Sequence, residues 1–252
     1  WTDTIPEIYT FATKGTKTLY AWVRDAAGNI SESVNDGVVI TLPGLLFAPV
    51  ADYDFSETSG TVSNDLVGSA DGTINGGATV DGAPLTLDGT DDYVSYPLPT
   101  VLNSNQYNVD FSINIKFTVF GTPAVAKRLF YQASSFTRGI QIVYNTNPDL
   151  YAIITENDIP ATSGKIKSGG VTNNVPHNIT VTWEAAANTL RMYIDGTEIT
   201  ATTSSQSLNG NSSGMRLGSN INAAYINADV YELSIFDFKL SEAEVAQWIT
   251  RC

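Results

Sequence analysis

Three tyrosines, Tyr131, Tyr144 and Tyr151, fall on successive short apolar runs, with Arg138, Gln141 and Asn145 among them. Flat rings beside planar polar side chains are the groups that stack on a sugar and hydrogen-bond its hydroxyls. These six are therefore the candidate ligand-binding residues. Catalytic chemistry is sparse by comparison. His177 is the sole histidine, which restricts acid–base and zinc chemistry, since both lean on imidazole. There is no Gly-x-Ser-x-Gly turn to present a serine nucleophile. Of the four tryptophans, Trp22, Trp183 and Trp248 read as packing residues and Trp1 stands at the start of the chain.

Acidic residues are the other chemically capable set. The 252 residues carry 26 Asp and Glu against 13 Lys and Arg, a formal charge of −13. Between Arg24 and Lys116 there are 13 acids and no base, whereas acids and bases balance elsewhere. Two readings follow: a solvated acidic surface, or carboxylates that converge on a hard cation. A pI near 4.3 argues against a general phosphate-backbone binder, which needs basic surface to release counterions, so no nucleic-acid partner is expected. Ten Phe, 12 Tyr and 4 Trp are too many for a disordered acidic chain. No run approaches the roughly 20 apolar residues of a membrane helix, so no membrane insertion is expected. The chain shows no signal peptide; a secreted protein would carry this sequence in its mature form. The lone Cys252 can form no internal disulfide, though it could pair with another chain.

The elements that must position these groups are strands. Short β-branched and aromatic runs recur every ten or so residues between Gly, Asn, Asp and Ser clusters, the pattern of an all-β sandwich. They include Thr18–Arg24, Gly37–Leu42, Phe111–Val119, Gly139–Tyr144, Leu150–Thr155, Asn178–Trp183 and Thr189–Ile194. The last two form a hairpin, and Asp195-Gly196 makes the next tight turn because glycine tolerates positive φ. One short helix is expected from Ser241, which caps it with Glu244 three residues on, while Val245, Trp248 and Ile249 supply its apolar face. A domain boundary is expected near Pro43-Gly44, giving units 1–43 and 44–252. Forty-three residues bury too little to fold alone, so the first unit is expected to belong to a longer chain or to pack against the second domain or a neighbouring chain.

Residues 21–31, Ala-Trp-Val-Arg-Asp-Ala-Ala-Gly-Asn-Ile-Ser, resemble the penultimate strand and turn of bacterial immunoglobulin-like repeats. That resemblance implies Trp22 in a sandwich core and a surface or secreted setting. Residues 45–252 carry a longer series: Ala51-Asp52-Tyr53-Asp54-Phe55, Asp65 to Thr73, Leu87-Asp88-Gly89-Thr90-Asp91-Asp92-Tyr93-Val94, His177 to Trp183, Leu190 to Gly196, and Val230 to Phe236 before Leu240-Ser241-Glu242. In order and spacing this resembles the bacterial laminin-G-like, or concanavalin A-like, jelly-roll domain. The resemblance implies an all-β jelly-roll sandwich with a short C-terminal helix, binding of carbohydrate, and one structural calcium near the domain's N-terminal loops. It places the calcium ligands at Asp65 and Asp71 around the Gly68 loop, at Asp91, and at Glu232 on the closing strand, where Tyr231 replaces a familiar acid.

The same fold houses glycoside hydrolases and polysaccharide lyases, so the site must decide. The strand motif Glu-x-Asp-x-x-Glu that would bring two carboxylates to one face is absent. Gln141 has no matching Arg-Thr-Glu strand, and His177 falls where the family keeps a histidine without catalytic duty. The expected function is a non-catalytic, lectin-like module of a secreted or cell-surface protein, targeting or adhesive, with a glycan as partner. The alternative is an assembly subunit of an extracellular fibre or surface layer, completed by strand pairing between copies through the N-terminal half-domain. A lyase or hydrolase is the third reading.

Overall fold

The computed structural model describes residues 15–40, 47–102, 109–133, 138–156, 164–167, 170–203, 214–220 and 223–250. The expected boundary at Pro43-Gly44, together with Trp1 and Cys252, lies outside the described residues. Contacts divide the chain into two compact units, Trp1–Ala48 and Pro49–Thr250.

In the first unit, β1 (Gly15–Ala21) pairs antiparallel with β2 (Val34–Ile40), with Gly15 opposite Ile40 and Ala21 opposite Val34. An isolated bridge joins Arg24 to Ile30 beyond them. Asp25 ties the intervening turn, its carboxylate accepting from the Asn29 backbone at 2.9 Å and side chain at 2.8 Å. Those bonds hold its pKa below the ordinary value. The pairing begins three residues earlier than the apolar run Thr18–Arg24 predicts. Trp22, expected in a core, is 51% exposed and stacks on Tyr20 at 6.0 Å. A two-stranded ribbon has one layer, and burying such a ring requires a second.

The second unit is a sandwich of two antiparallel eight-stranded sheets. The first sheet runs, edge to edge, β13 (Gly164–Lys167), β12 (Leu150–Glu156), β11 (Arg138–Tyr144), β10 (Lys127–Ala133), β17 (Met215–Leu217), β8 (Tyr93–Tyr96), β5 (Gly72–Asn75) and β4 (Val62–Ser63). The second runs β16 (Thr197–Thr203), β15 (Thr189–Ile194), β14 (His177–Glu184), β9 (Phe111–Val119), β18 (Asn227–Phe236), β7 (Leu85–Asp88) and β6 (Thr79–Val80), with β3 (Ala51–Tyr53) also pairing β18. Neighbours such as β10 and β17, or β9 and β18, are far apart in sequence, so the chain repeatedly crosses between layers, as a jelly roll requires. Alternate residues of each strand meet in the middle. Val94, Phe130, Ile140, Ile142 and Leu217 from one sheet join Ile113, Ile115, Phe117, Val181, Trp183 and Leu233 from the other in one buried cluster.

The helix α1 (Glu242–Ile249) starts at a full capping box: Ser241 Oγ accepts from the Glu244 backbone, and the Glu244 carboxylate accepts from the Ser241 backbone. It lies on the outer side of the second sheet. Leu233 and Ile235 of β18 face the core, so Glu232, Ser234 and Phe236 face outward, and Trp248 meets Phe236 edge-on at 4.7 Å. The turn between β15 and β16 is Asp195-Gly196, both with positive φ, as expected. A β-carbon at Gly196 would stand 2.7 Å from Ile249 Cδ1, so glycine serves both the turn and the helix's approach. With α1 on one outer face, the outer face of the first sheet is the other broad surface of the sandwich.

Candidate functional site

Cross-strand register places one transverse row on the outer face of the first sheet. Ile153 lies opposite Gln141, Gln141 opposite Tyr131, Tyr131 opposite Arg216, Arg216 opposite Ser95, and Ser95 opposite Thr73. Residues directly opposite share a face, and the flanking Ile140, Ile142, Phe130, Met215, Leu217 and Val94 all belong to the core. A bulge between Arg128 and Phe130 shifts the register of β10, so Arg128 and Tyr131, three apart, both face outward.

Arg128 Nε donates to Gln141 Oε1 at 2.8 Å, and Nη1 reaches the Ala126 carbonyl at 3.5 Å. Arg216 Nη1 donates to the Asn220 carbonyl at 3.1 Å, and its guanidinium lies 4.6 Å over the Tyr93 ring. Tyr93 in turn stands 6.3 Å from Tyr225. Between the arginines sits Tyr131, 1% exposed, whose hydroxyl has no hydrogen-bond partner. Burial raises the pKa of that hydroxyl, while Arg128 and Arg216 both pull it down, so both guanidiniums act on this one oxygen. Burial lowers the pKa of Arg128. Beside this cluster a shallow pocket is lined by Lys127, Tyr144, Tyr225, Asp88 and the 120–123 turn.

Of the six candidate ligand residues, Tyr131 and Gln141 are thus neighbours on the outer face, and half-buried Tyr151 lies on the same face opposite Val143. Tyr144 turns inward, its ring in the core and its hydroxyl donating to Asn173 Oδ1, with the Gly121 carbonyl 3.3 Å away. Asn145 closes a turn, its backbone donating to the Asp149 carbonyl at 2.9 Å. Arg138 is seen only in backbone register, opposite Glu156; its side chain lies outside the described residues. Arg128, Arg216, Tyr93 and Tyr225 escape the sequence reading. For Arg216 the available signal was the alternation Met215-Arg216-Leu217, too short to register as a strand.

The candidate metal residues divide. Asp65, Asp71 and Glu232 lie on one hydrogen-bonded chain. Asp71 Oδ1 accepts from the Asp65 backbone at 2.9 Å. Asp65 accepts from the backbones of Asp52, Val67 and Ala70 at 3.1–3.2 Å. The Ser234 hydroxyl stands 2.6 Å from Asp52 Oδ1 and 2.9 Å from Glu232 Oε1, and Trp248 Nε1 donates to that Glu232 oxygen at 3.0 Å. Tyr53 is enclosed by this acidic group, and its hydroxyl pKa is pushed well up by burial first and then by Asp65, Asp71 and Asp52. Asp91 stands elsewhere, with Asp88 and Asp92, their ligand atoms within 4.8 Å of one another; this is the one such group among the described residues.

In that group Asp92 is buried and Asp92 Oδ2 accepts from the Asp88 backbone at 2.8 Å. Burial, then the charges of Asp88 and Asp91, raise its pKa. A folded-state pKa above the unfolded value means that folding binds a proton, so this site makes the protein more stable as pH falls from neutrality towards the ordinary carboxylate range. Asp92→Asn is expected to raise the melting temperature at pH 7 and to flatten that pH dependence, as measured by thermal denaturation between pH 4.5 and 8; an unchanged profile would remove Asp92 as its source.

His177 joins two loops. Its Nδ1 is 2.7 Å from Asp195 Oδ2, and its Nε2 lies 3.1 Å from the Thr172 backbone nitrogen. The ring is therefore engaged on both nitrogens and does not face the cluster on the first sheet.

Two crossed-over antiparallel sheets closed by a terminal helix define a concanavalin A-like β-sandwich. Residues 88–246 match the laminin-G family model described as the concanavalin A-like lectin/glucanases superfamily, and the chain belongs to that superfamily. Among curated proteins no sequence matches. Among solved structures, a mutant of Trypanosoma rangeli sialidase displaying trans-sialidase activity is similar with a TM-score of 0.63 at 14% identity, over 83% of this chain and 33% of that one. Trypanosoma rangeli sialidase in complex with sialic acid gives 0.61 at 13%, over 82% and 33%. An HCR/D tryptophan-to-alanine mutant gives 0.63 at 11%, over 79% and 51%. The chain thus spans about a third to a half of these proteins, and at such identity the likeness is one of fold.

Proposed function

We propose that the second unit is a non-catalytic, lectin-like carbohydrate-binding module that targets or anchors an extracellular protein to a glycan. The observation that carries this is the set of half-buried groups Arg128, Arg216, Tyr93, Tyr151 and Tyr225 around buried Tyr131 and Gln141, on the sheet face opposite the one covered by α1. Rings and planar polar groups on one surface are what sugar recognition needs. A binding role rather than a hydrolytic one is favoured because the described residues of that set include no carboxylate, and most glycoside hydrolases use a pair of them. The chain's single imidazole is held by Asp195 and Thr172. The sialidase neighbour bound to sialic acid is consistent with a sugar as the ligand class. Binding of the full chain to an immobilised glycan panel tests the proposal: retention on a subset of glycans supports it, and silence across a broad panel sinks it.

A second reading, self-assembly, is supported by the exposed Tyr20, Trp22, Val23 and Ile30 of the first unit. A dilution-resistant oligomer in light scattering that Trp22→Ala dissolves would favour it; a monomer at all concentrations would exclude it.

For the calcium expected of such a domain, the best-gathered donors are Asp88, Asp91 and Asp92, whose mutual repulsion a divalent cation would relieve. A rise in melting temperature with calcium, reversed by chelator and lost in Asp91→Asn, supports that assignment; no response to either removes calcium from the proposal.

A further inference from the structure

The described ion pairs are Arg191–Glu198, Lys239–Glu184 and His177–Asp195. None involves Arg128 or Arg216. In a chain with two acids for every base, two arginines that flank one side chain have no carboxylate partner among the described residues. Their other bonds are to neutral oxygens, Gln141 Oε1 and the carbonyls of Ala126 and Asn220, which leave guanidinium N–H groups of each arginine over. Beneath them lies a hydroxyl that is buried yet unpartnered, although buried polar groups are almost always hydrogen-bonded. An unpartnered donor and two uncompensated cations, all on the face read above as the sugar site, call for the same thing: an anionic group.

We propose that the outer face of the first sheet selects acidic glycans, with a sugar carboxylate or sulfate ester held by Arg128 and Arg216, and the Tyr131 hydroxyl completing the donor set. The inference rests on the lectin-like reading of the second unit and specifies its ligand class. The guanidinium is suited to the task, since its planar fork gives two parallel N–H bonds to a carboxylate or sulfate. The ring on which Arg216 rests holds that fork in place, and Tyr225 beside it extends the apolar surface on which a sugar face can lie. The net charge of −13 sharpens the argument, because the molecule as a whole repels polyanions. Affinity for one must then arise locally.

The test uses the full chain against three immobilised polymers: a polyuronate, a sulfated polysaccharide and a neutral polysaccharide, each at low and high salt. An acidic polymer is expected to bind at least about tenfold more tightly than the neutral one, with the preference shrinking as salt rises. Which acidic arm binds identifies the acid group as carboxylate or sulfate. Arg128→Gln and Arg216→Gln are each expected to weaken acidic-polymer binding about tenfold and to shrink the ratio of acidic to neutral binding. Tyr131→Phe guards against mere misfolding: it keeps the ring, is expected to melt no lower than the parent, and is expected to bind the acidic polymer several-fold more weakly. A loss of melting temperature in Tyr131→Phe with parental binding would make Tyr131 a structural residue and overturn its part. Equal binding to neutral and acidic polymers, or parental acidic binding in both arginine variants, overturns the proposal while leaving a glycan module standing. No binding to any polymer or glycan overturns both.

Discussion

Asp65→Ala is expected to lower the stability of the sandwich by about 2–4 kcal/mol, because it strips acceptors from up to three backbone N–H groups at about 1–3 kcal/mol each, with incomplete additivity. The three donors are Asp52, Val67 and Ala70, and the carboxylate that receives them is 9% exposed. The loop is built around this side chain. A β-carbon at Gly68 would come within 2.5 Å of Asp65 Oδ2, so the backbone wraps closer than any other residue allows. For a unit of this size the loss corresponds to roughly 5–15 °C in melting temperature. Asp65→Asn, which keeps one acceptor oxygen, is expected to fall between parent and alanine. The sequence resemblance makes Asp65 a calcium ligand, and the experiment separates the two roles. A loop organiser gives the same deficit with calcium and with chelator; a deficit that vanishes under chelator would restore the ligand role.

Glu232→Ala is the second large effect. It leaves Trp248 Nε1 without its acceptor in a buried position and removes a partner of the Ser234 hydroxyl. A cost of about 2–3 kcal/mol follows for the unsatisfied groups. The loss should be local before it is global. The helix α1 is held to β18 by Trp248, through its bond to Glu232 and its edge-on contact with Phe236, so hydrogen exchange in residues 242–249 should accelerate more than in β9. Tryptophan emission should shift to the red as the indole meets water. If exchange rises uniformly across both sheets instead, the carboxylate is not the helix's anchor.

The roles of these two residues turn on contacts that the sequence alone does not display. The resemblance implies a cation site at the Asp beside the Gly68 loop and the Glu on the closing strand, while backbone N–H groups and an indole N–H compete for the same oxygens. Which wins depends on how the loop folds back, and spacing does not encode that. Alternation, by contrast, is a property of a single strand, so Phe111–Val119 and Thr189–Ile194 were legible to the residue. The capping box at Ser241 and the Asp195-Gly196 turn were legible for the same reason: their chemistry is local. The candidate ligand face was legible in part. Tyr131 and Gln141 came from neighbouring strands of the expected kind, but Arg128 is brought beside them by a bulge that breaks the two-residue period. Arg216 arrives on a three-residue strand from 85 positions away in sequence, paired by tertiary structure alone. The exposed Trp22 was misjudged because a resemblance to one strand implies a partner layer that the described ribbon does not contain.

The register of β3 on β18 sets how the sandwich responds to pulling. Ala51 lies opposite Ile235 and Tyr53 opposite Leu233, so the strand that opens the unit and the strand that ends it meet at the same end of their shared ladder. A tether drawn from both sides loads that ladder at one end and peels it a hydrogen bond at a time, rather than shearing all bonds together. On the C-terminal side tension reaches α1 first, and Trp248, seated on Glu232 and Phe236, is the latch that must slip before the ladder is loaded.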